Sequence, residues 1–220
     1  MFNVQRTNPA PASLADKKSY SGSDVMDALA AMFHNKCYLC ETSNPTSLNV
    51  EHFDPQVAGE DRTYDWDNLF YSCARCNNVK LAGYRNLLNC TDKNVDVFSA
   101  IKLLPPLTPY GKNVIVQPMF DDPKTVETAK LLSEIYNTDR TANKRITGSY
   151  LREGIYKKYN RLLKFVNQYF SNESSDEQKN QALGTLKVLM GNEQEYSAFL
   201  RWIVLDDVRL SELLSEYIVN

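Results

Sequence analysis

Two Cys-x-x-Cys pairs are the residues whose types and spacing point most clearly to chemistry. Cys37 and Cys40 form the first pair, Cys73 and Cys76 the second, and 32 residues lie between the pairs. Four thiolates can complete the tetrahedral shell of Zn²⁺, and such a closed shell is structural because it leaves no position for a substrate. A redox dithiol or an iron–sulfur cluster is the alternative, but a redox motif needs only one pair, normally in a βαβ setting. The spacing favours structural zinc, and Cys90, which has no partner in sequence, is predicted to be an ordinary buried thiol.

The stretch "VEHFDPQ" (residues 50–56) contains His52, one of only two histidines in the chain. From its neighbours alone, His52 could be a packing residue, a metal ligand or a general base. Adjacent side chains on a regular strand point to opposite faces, so Glu51 and His52 can serve one site only if the strand ends or bends there. Pro55 is consistent with such an end. The other histidine, His34, follows a predicted helix and is expected to be a capping or surface residue.

Further residues between and after the cysteine pairs complete a longer pattern. "VEHFDP" and "YDWDNLFYSC" stand between the pairs, and the second pair continues as "CNNVK". In this order the segment resembles the zinc-bearing HNH (ββα-metal) nucleases over about a fifth of the chain, from Cys37 to Lys80. The resemblance implies a β-hairpin on a helix that holds one divalent cation at the scissile phosphate of a nucleic acid.

The resemblance also implies catalytic roles. His52 matches the general base, and an imidazole can take a proton from water near neutral pH. Glu51 stands where the family usually has an aspartate metal ligand. Asn77 matches the other ligand position, and only the spacing after Cys76 favours it over Asn78. Oxygen ligands of this kind suit Mg²⁺ or Mn²⁺.

Three more residues receive roles from the same pattern. Asn68, the middle residue of the motif, would brace the loop and orient His52 by hydrogen bonding. Lys80, one turn beyond Asn77 on the expected helix, and Arg75 are candidates for contact with phosphate.

A longer stretch of the sequence is similar to PtuB, the HNH component of Septu-type anti-phage systems that also occurs with some retrons. The similarity lies in "CYLCE…VEHFDPQ…YDWDNLFYSCARCNNVK…LLN" and in the helical remainder that follows. This resemblance implies an ABC-type ATPase partner (PtuA), a role in phage defence and, in a retron setting, a reverse transcriptase with its nucleic acid. The function expected is cleavage of nucleic acid, with DNA favoured. Two alternatives stay open: a catalytically degenerate zinc-stabilised binding or adaptor module, and an RNA (tRNA) nuclease toxin of a retron system.

The rest of the chain predicts how these parts are arranged. We expect an N-terminal arm and helix (1–35), in which the first twenty residues pack elsewhere or stay loose, an HNH module (36–90), and a connector with a helical region for nucleic-acid or partner binding (91–220). Asp122 and Pro123 predict a helix start, and Ser174 with Glu177 has capping-box spacing. The predicted fold class is α+β, predominantly α-helical, with a zinc-stabilised ββα-metal module followed by a helical C-terminal region.

Composition and charge set further expectations. No stretch approaches the ~20 apolar residues of a membrane span, and no apolar signal-peptide segment opens the chain, so we expect a cytoplasmic protein with no membrane partner. The net charge is −2, but residues 139–164 hold eight basic and two acidic residues, a local surplus of 8 − 2 = +6. Either this is a solvated helix face or it contacts phosphate, with Lys144, Arg145 and Arg152 as candidates. The C-terminal segment is predicted to be core or partner surface, with Trp202 and Tyr217 as anchors if it docks an ATPase.

Overall fold

The computed structural model describes residues 1–55, 62–81, 83–108, 113–139 and 147–218. Within these ranges the chain forms eight α-helices and two antiparallel two-stranded sheets, which confirms the predicted α+β class with a helical C-terminal region. The elements are α1 (Ser23–Met32), β1 (Leu48–His52), β2 (Leu69–Cys73), α2 (Ala74–Leu81), α3 (Val97–Ala100), β3 (Ile101–Leu104), β4 (Ile115–Pro118), α4 (Pro123–Asn137), α5 (Gly148–Phe170), α6 (Asp176–Leu189), α7 (Ser197–Asp206) and α8 (Val208–Leu214). Among the described residues, no helix is both long and apolar enough to cross a lipid bilayer. The division at residues 35 and 90 stays a prediction.

The hairpin of β1 and β2 leads directly into α2. The strands pair antiparallel, with His52 opposite Leu69 and Glu51 opposite Phe70. Every residue of β2 is buried, as expected of the apolar run "LFYSC". The Phe70 ring packs on Phe53 with ring centroids 4.9 Å apart, so aromatic contacts hold the end of β1 against β2. The order strand, strand, helix is the ββα arrangement that the resemblance implies.

The N-terminal arm packs on this ββα unit. Phe2 is fully buried. The guanidinium of Arg6 donates to the carbonyl oxygen of Leu69 at 2.8 Å, and the indole N–H of Trp66 donates to the carbonyl oxygen of Thr7 at 2.9 Å. Of the two expectations for the first twenty residues, the structure therefore supports packing.

Two helix starts show how far local sequence determines structure. The side chain of Asp122 accepts hydrogen bonds from two backbone amides at the start of α4, and Pro123 is the first helical residue, as predicted. The capping box of α6 lies one residue later than predicted. There the Gln178 amide donates to Ser175 Oγ at 3.3 Å, and the Ser175 amide donates to Gln178 Oε1 at 2.8 Å.

The C-terminal segment packs within the chain. The indole N–H of Trp202 donates to the carbonyl oxygen of Ile101 at 2.9 Å, which ties α7 to β3. The ring of Tyr217 lies 4.4 Å from the Lys187 ammonium of α6. Both half-buried side chains therefore make contacts within the chain, and a partner surface on this segment stays a prediction.

Gly148 provides a test of the close approach between α4 and α5. A Cβ at this position would lie 2.6 Å from the carbonyl oxygen of Thr138 and 2.9 Å from that of Tyr136. Because backbone must shift to relieve these contacts, Gly148→Ala should lower the free energy of unfolding by about 1–3 kcal/mol. The control is Gly184→Ala in α6, where no atom lies within 4 Å of the added Cβ. It should stabilise the protein by about 0.5–1 kcal/mol. Urea denaturation measures both, and the same sign for the two variants would contradict the close approach.

Candidate active site

The four paired cysteines converge at one buried point. Their Sγ atoms all lie within 4.8 Å of one another, and those of Cys40 and Cys73 are 3.9 Å apart. Ligand sulfurs with zinc bonds of ~2.3 Å are about 3.8 Å apart in a tetrahedral shell, so this donor set fits zinc. The first pair lies in the turn before β1, where Lys36 bridges to Ser43. The second pair spans the end of β2 and the first turn of α2.

Burial affects two of the four thiols in a way that a bound cation would reverse. It raises the pKa of the Cys40 and Cys76 thiols well above the ordinary range of cysteine. A bound divalent cation reverses this effect because it stabilises the thiolate form. Cys90 lies outside the cluster, and burial raises its pKa to about 12, as befits an ordinary buried thiol. His34 is exposed just beyond α1, consistent with the surface position predicted for it.

A second site lies at the end of β1. A cavity of about 410 Å³ is lined by Glu51 and His52 together with Asn77 and Lys80 of α2. His52 is the last residue of β1, and both it and Glu51 line this cavity. Glu51 is buried and His52 half-buried. Asn78 is exposed and does not line the cavity, so the geometry selects Asn77 over its neighbour.

The imidazole of His52 is held by a backbone carbonyl. Its Nε2 lies 3.0 Å from the carbonyl oxygen of Thr63. Because a carbonyl oxygen only accepts, Nε2 carries the proton in the neutral ring, and Nδ1 is left with a lone pair. The edge of the ring meets Tyr20 of the arm, with centroids 4.7 Å apart. This arrangement presents a proton acceptor of fixed orientation.

Asn68 acts on the loop rather than on the imidazole. Its Oδ1 accepts from the Asp54 amide at 2.7 Å, and its Nδ2 donates to the Asp54 carbonyl oxygen at 3.2 Å. The bracing contact therefore exists as expected. The predicted direct orientation of His52 by Asn68 is corrected, because the ring's hydrogen bond goes to Thr63.

Glu51 is a buried carboxylate with one occupied oxygen. Its Oε1 lies 2.8 Å from the ammonium of Lys80 and accepts from the Tyr38 hydroxyl at 3.1 Å. Its Oε2 is buried and has no hydrogen-bond partner among the described residues. Burial raises the pKa of Glu51, and the positive charge of Lys80 opposes that rise. An orphaned carboxylate oxygen beside an amide side chain fits a hard divalent cation such as Mg²⁺ or Mn²⁺.

Three predicted phosphate contacts are corrected. The Lys80 ammonium is only 5% exposed and is engaged with Glu51 and two backbone carbonyls. Arg75 is fully buried and donates to the carbonyl oxygens of Ile135 and Thr138, both at 2.6 Å. Arg152 is buried and donates to the carbonyl oxygen of Tyr136 at 2.7 Å. Arg75 and Arg152 are thus directed at protein carbonyls, and Lys80 lines the cavity but has its ammonium engaged by Glu51 and two carbonyls. The other two candidates, Lys144 and Arg145, lie outside the described residues.

Two residues that line the cavity were not predicted from the sequence. Tyr20 and Arg85 both line the cavity, and Arg85 is exposed. No motif marks either of them, since Tyr20 comes from the arm and Arg85 from the segment that follows α2. Among the described residues that line the cavity, Arg85 is therefore the cation whose side chain is exposed to solvent.

The architecture matches one kind of module. A hairpin that leads into a helix, with a histidine at the end of the first strand and an acid and an amide lining the same cavity, is the ββα-metal arrangement that the sequence predicted. Residues 37–82 match the family model described as HNH endonuclease. The chain therefore carries an HNH endonuclease domain in these residues, which supports a metal-dependent endonuclease. No curated protein and no solved structure matches this chain.

The cysteine cluster predicts the metal content. Purified protein should contain a single tightly bound zinc ion per chain, since one closed shell is available. Cys40→Ala should lose the zinc and unfold at lower temperature. Cys90→Ala should keep the zinc, because its thiol lies outside the cluster. Elemental analysis by mass spectrometry measures both, and a full zinc content in Cys40→Ala would contradict the assignment.

Proposed function

We propose that this protein is a metal-dependent endonuclease that hydrolyses phosphodiester bonds, with His52 as its general base. The observation that carries the proposal is the 3.0 Å contact of His52 Nε2 with the Thr63 carbonyl oxygen at the cavity that Glu51 and Asn77 also line. This contact leaves Nδ1 to take a proton from an attacking water.

Glu51 and Asn77 would hold a Mg²⁺ or Mn²⁺ ion. When bound, such an ion neutralises charge that develops on the phosphate and on the leaving oxygen. The chain's own residues supply the remaining steps. His52 accepts the proton, the Thr63 carbonyl keeps the acceptor nitrogen in place, and Arg85 attracts the phosphate backbone to the cavity.

DNA is the substrate we favour, and the protein partner we propose is an ABC-type ATPase. The Septu-type resemblance of the motif and of the helical remainder supports this cytoplasmic pair and a role in phage defence. Exposed apolar side chains support a partner surface at the junction of β4 and α4. There Phe120 is 59% and Val126 45% exposed, next to a groove of about 490 Å³ that Val126 lines.

Replacing the proposed base tests the function. His52→Ala should lower the rate of phosphodiester cleavage by about 10²–10⁴-fold, because proton transfer from the attacking water is lost. Zinc content and the far-UV circular dichroism spectrum should not change. His34→Asn, at the exposed second histidine, is the matched control and should cleave like wild type. Cleavage is measured on labelled duplex DNA, single-stranded DNA and tRNA with Mg²⁺ or Mn²⁺, with and without an ATPase encoded beside this protein.

Each outcome separates the hypotheses. A His52→Ala variant as active as wild type would show that His52 is not the base. Cleavage of tRNA but not DNA would support the retron-type toxin. If the wild type cuts none of these substrates under any of these conditions, the zinc-stabilised adaptor module is the better description.

Arg85 is predicted to be the phosphate contact at the cavity. Arg85→Ala should weaken DNA binding and lower the slope of log affinity against log salt by about one unit. The control is Arg161→Ala, which removes an exposed cation from α5. Fluorescence anisotropy in the inactive His52→Ala background measures both slopes. If Arg161→Ala lowers the slope and Arg85→Ala does not, nucleic acid binds along α5 instead.

A further inference from the structure

Lys80 is a buried cation placed on the acidic group of the candidate active site. Its ammonium lies 2.8 Å from Glu51 Oε1, and the two side chains are 5% and 3% exposed. The same ammonium donates to the carbonyl oxygen of His52 at 3.0 Å and to that of Phe53 at 2.7 Å. An ammonium has three N–H groups, so these three acceptors use all of them. Lys80 is therefore fixed at the end of β1 and is not free to move to an incoming phosphate.

The charges around the cavity do not favour a divalent cation in the free protein. Among the described lining residues, Glu51 is the single carboxylate, while Lys80 and Arg85 are cations, so the formal charge is −1 + 1 + 1 = +1 with a neutral imidazole. Protein sites for Mg²⁺ depend on carboxylates, and where these are few the phosphate oxygens of the substrate complete the shell. A site with one carboxylate that already faces an ammonium lacks the negative charge to hold such an ion alone.

The two carboxylate oxygens of Glu51 differ in their contacts. Oε1 is taken by Lys80 and by the Tyr38 hydroxyl, whereas Oε2 is buried without a hydrogen-bond partner among the described residues. The carboxylate can therefore keep its contact with Lys80 and still offer one oxygen to an ion. Lys80 fixes the direction of this oxygen and at the same time opposes the charge of the ion by like-charge repulsion.

We propose that Lys80 makes divalent metal binding depend on the substrate, so that the site takes up Mg²⁺ or Mn²⁺ together with a phosphodiester and only weakly without one. Lys80 offsets the negative charge of Glu51, and the phosphodiester supplies the additional negative charge that the metal ion needs. Lys80 is a positioning residue in this scheme, since its N–H groups are engaged by protein acceptors and it acts through Glu51. The inference rests on the proposed function, because it takes Glu51 and Asn77 as the ligands. Linkage then requires that metal strengthens nucleic-acid binding by the same factor.

The test measures metal binding rather than cleavage. The full-length, zinc-loaded His52→Ala protein is titrated with Mn²⁺ in the absence and in the presence of a saturating DNA duplex, and free Mn²⁺ is followed by electron paramagnetic resonance. The expected result is at least ~10-fold tighter binding with DNA. Duplex alone, and duplex with a Glu51→Gln, His52→Ala double variant, correct for Mn²⁺ held by DNA. Equal affinity with and without DNA overturns the proposal.

Substitutions of Lys80 separate this role from a merely structural one. Lys80→Met keeps the length and removes the charge, so it should bind Mn²⁺ about 10-fold more tightly without DNA and lose most of the DNA dependence. Lys80→Arg keeps the charge and should retain that dependence. A residue needed only to hold β1 would give weaker Mn²⁺ binding in Lys80→Met, and that sign overturns the proposal. If Lys80→Met does not fold, Lys80→Gln is the second uncharged variant, and equal Mn²⁺ affinity with and without DNA still overturns the proposal.

Failure of this inference and failure of the proposed function give different results. Tight Mn²⁺ binding by the DNA-free protein, combined with loss of cleavage in His52→Ala, leaves the nuclease intact and removes the role of Lys80. DNA-dependent Mn²⁺ binding by a protein that cuts no nucleic acid supports the role of Lys80 and removes the catalytic assignment.

Discussion

The convergence of four buried thiols on one point is the constraint on which the ββα unit depends. A structural zinc ion contributes ~10–16 kcal/mol to the folding of a small metal module. That is comparable with the ~5–15 kcal/mol that stabilises a whole domain. Because the second cysteine pair spans the junction of β2 and α2, the same ion would fix the direction in which α2 leaves the sheet. Asn77 and Lys80 follow on that helix, so zinc ligation would set where they meet Glu51.

Buried charges connect this unit to the helical region. Glu41, next to the second zinc cysteine, is fully buried, lies 3.6 Å from the Lys36 ammonium and accepts from the Ala198 amide at 3.3 Å. Arg75 of α2 donates to carbonyl oxygens at the end of α4. Its positive charge interacts favourably there with the negative end of the helix dipole. A buried ion that loses its partner is strongly destabilising. These contacts therefore make the helical region a support for the ββα unit.

Short-range patterns predicted the structure well, and long-range burial was out of their reach. The ββα order and the start of α4 depend on residues close in sequence, and each cysteine pair is itself a local signal for metal although 32 residues separate the two pairs. Arg75 and Lys80 were predicted to contact phosphate from their positions in the motif, Lys80 being one turn beyond Asn77 on the expected helix. Arg75 in fact donates to the carbonyl oxygen of Ile135, 60 residues away, and Lys80 to that of Phe53, 27 residues away. No local sequence pattern reveals such distant acceptors. Tyr20 and Arg85 were missed because they carry no motif.

The orientation of the His52 imidazole depends on a backbone group rather than on a side chain. The group that faces its Nε2 is the carbonyl of Thr63, and any residue at that position offers the same oxygen. What matters is that the loop holds this oxygen in place, and Asn68 does so by pairing with both backbone groups of Asp54, as a neighbouring strand would. Arg62 adds an ion pair to Asp54 across the same loop. The middle asparagine thus influences the imidazole indirectly, since it fixes the loop whose carbonyl selects the tautomer.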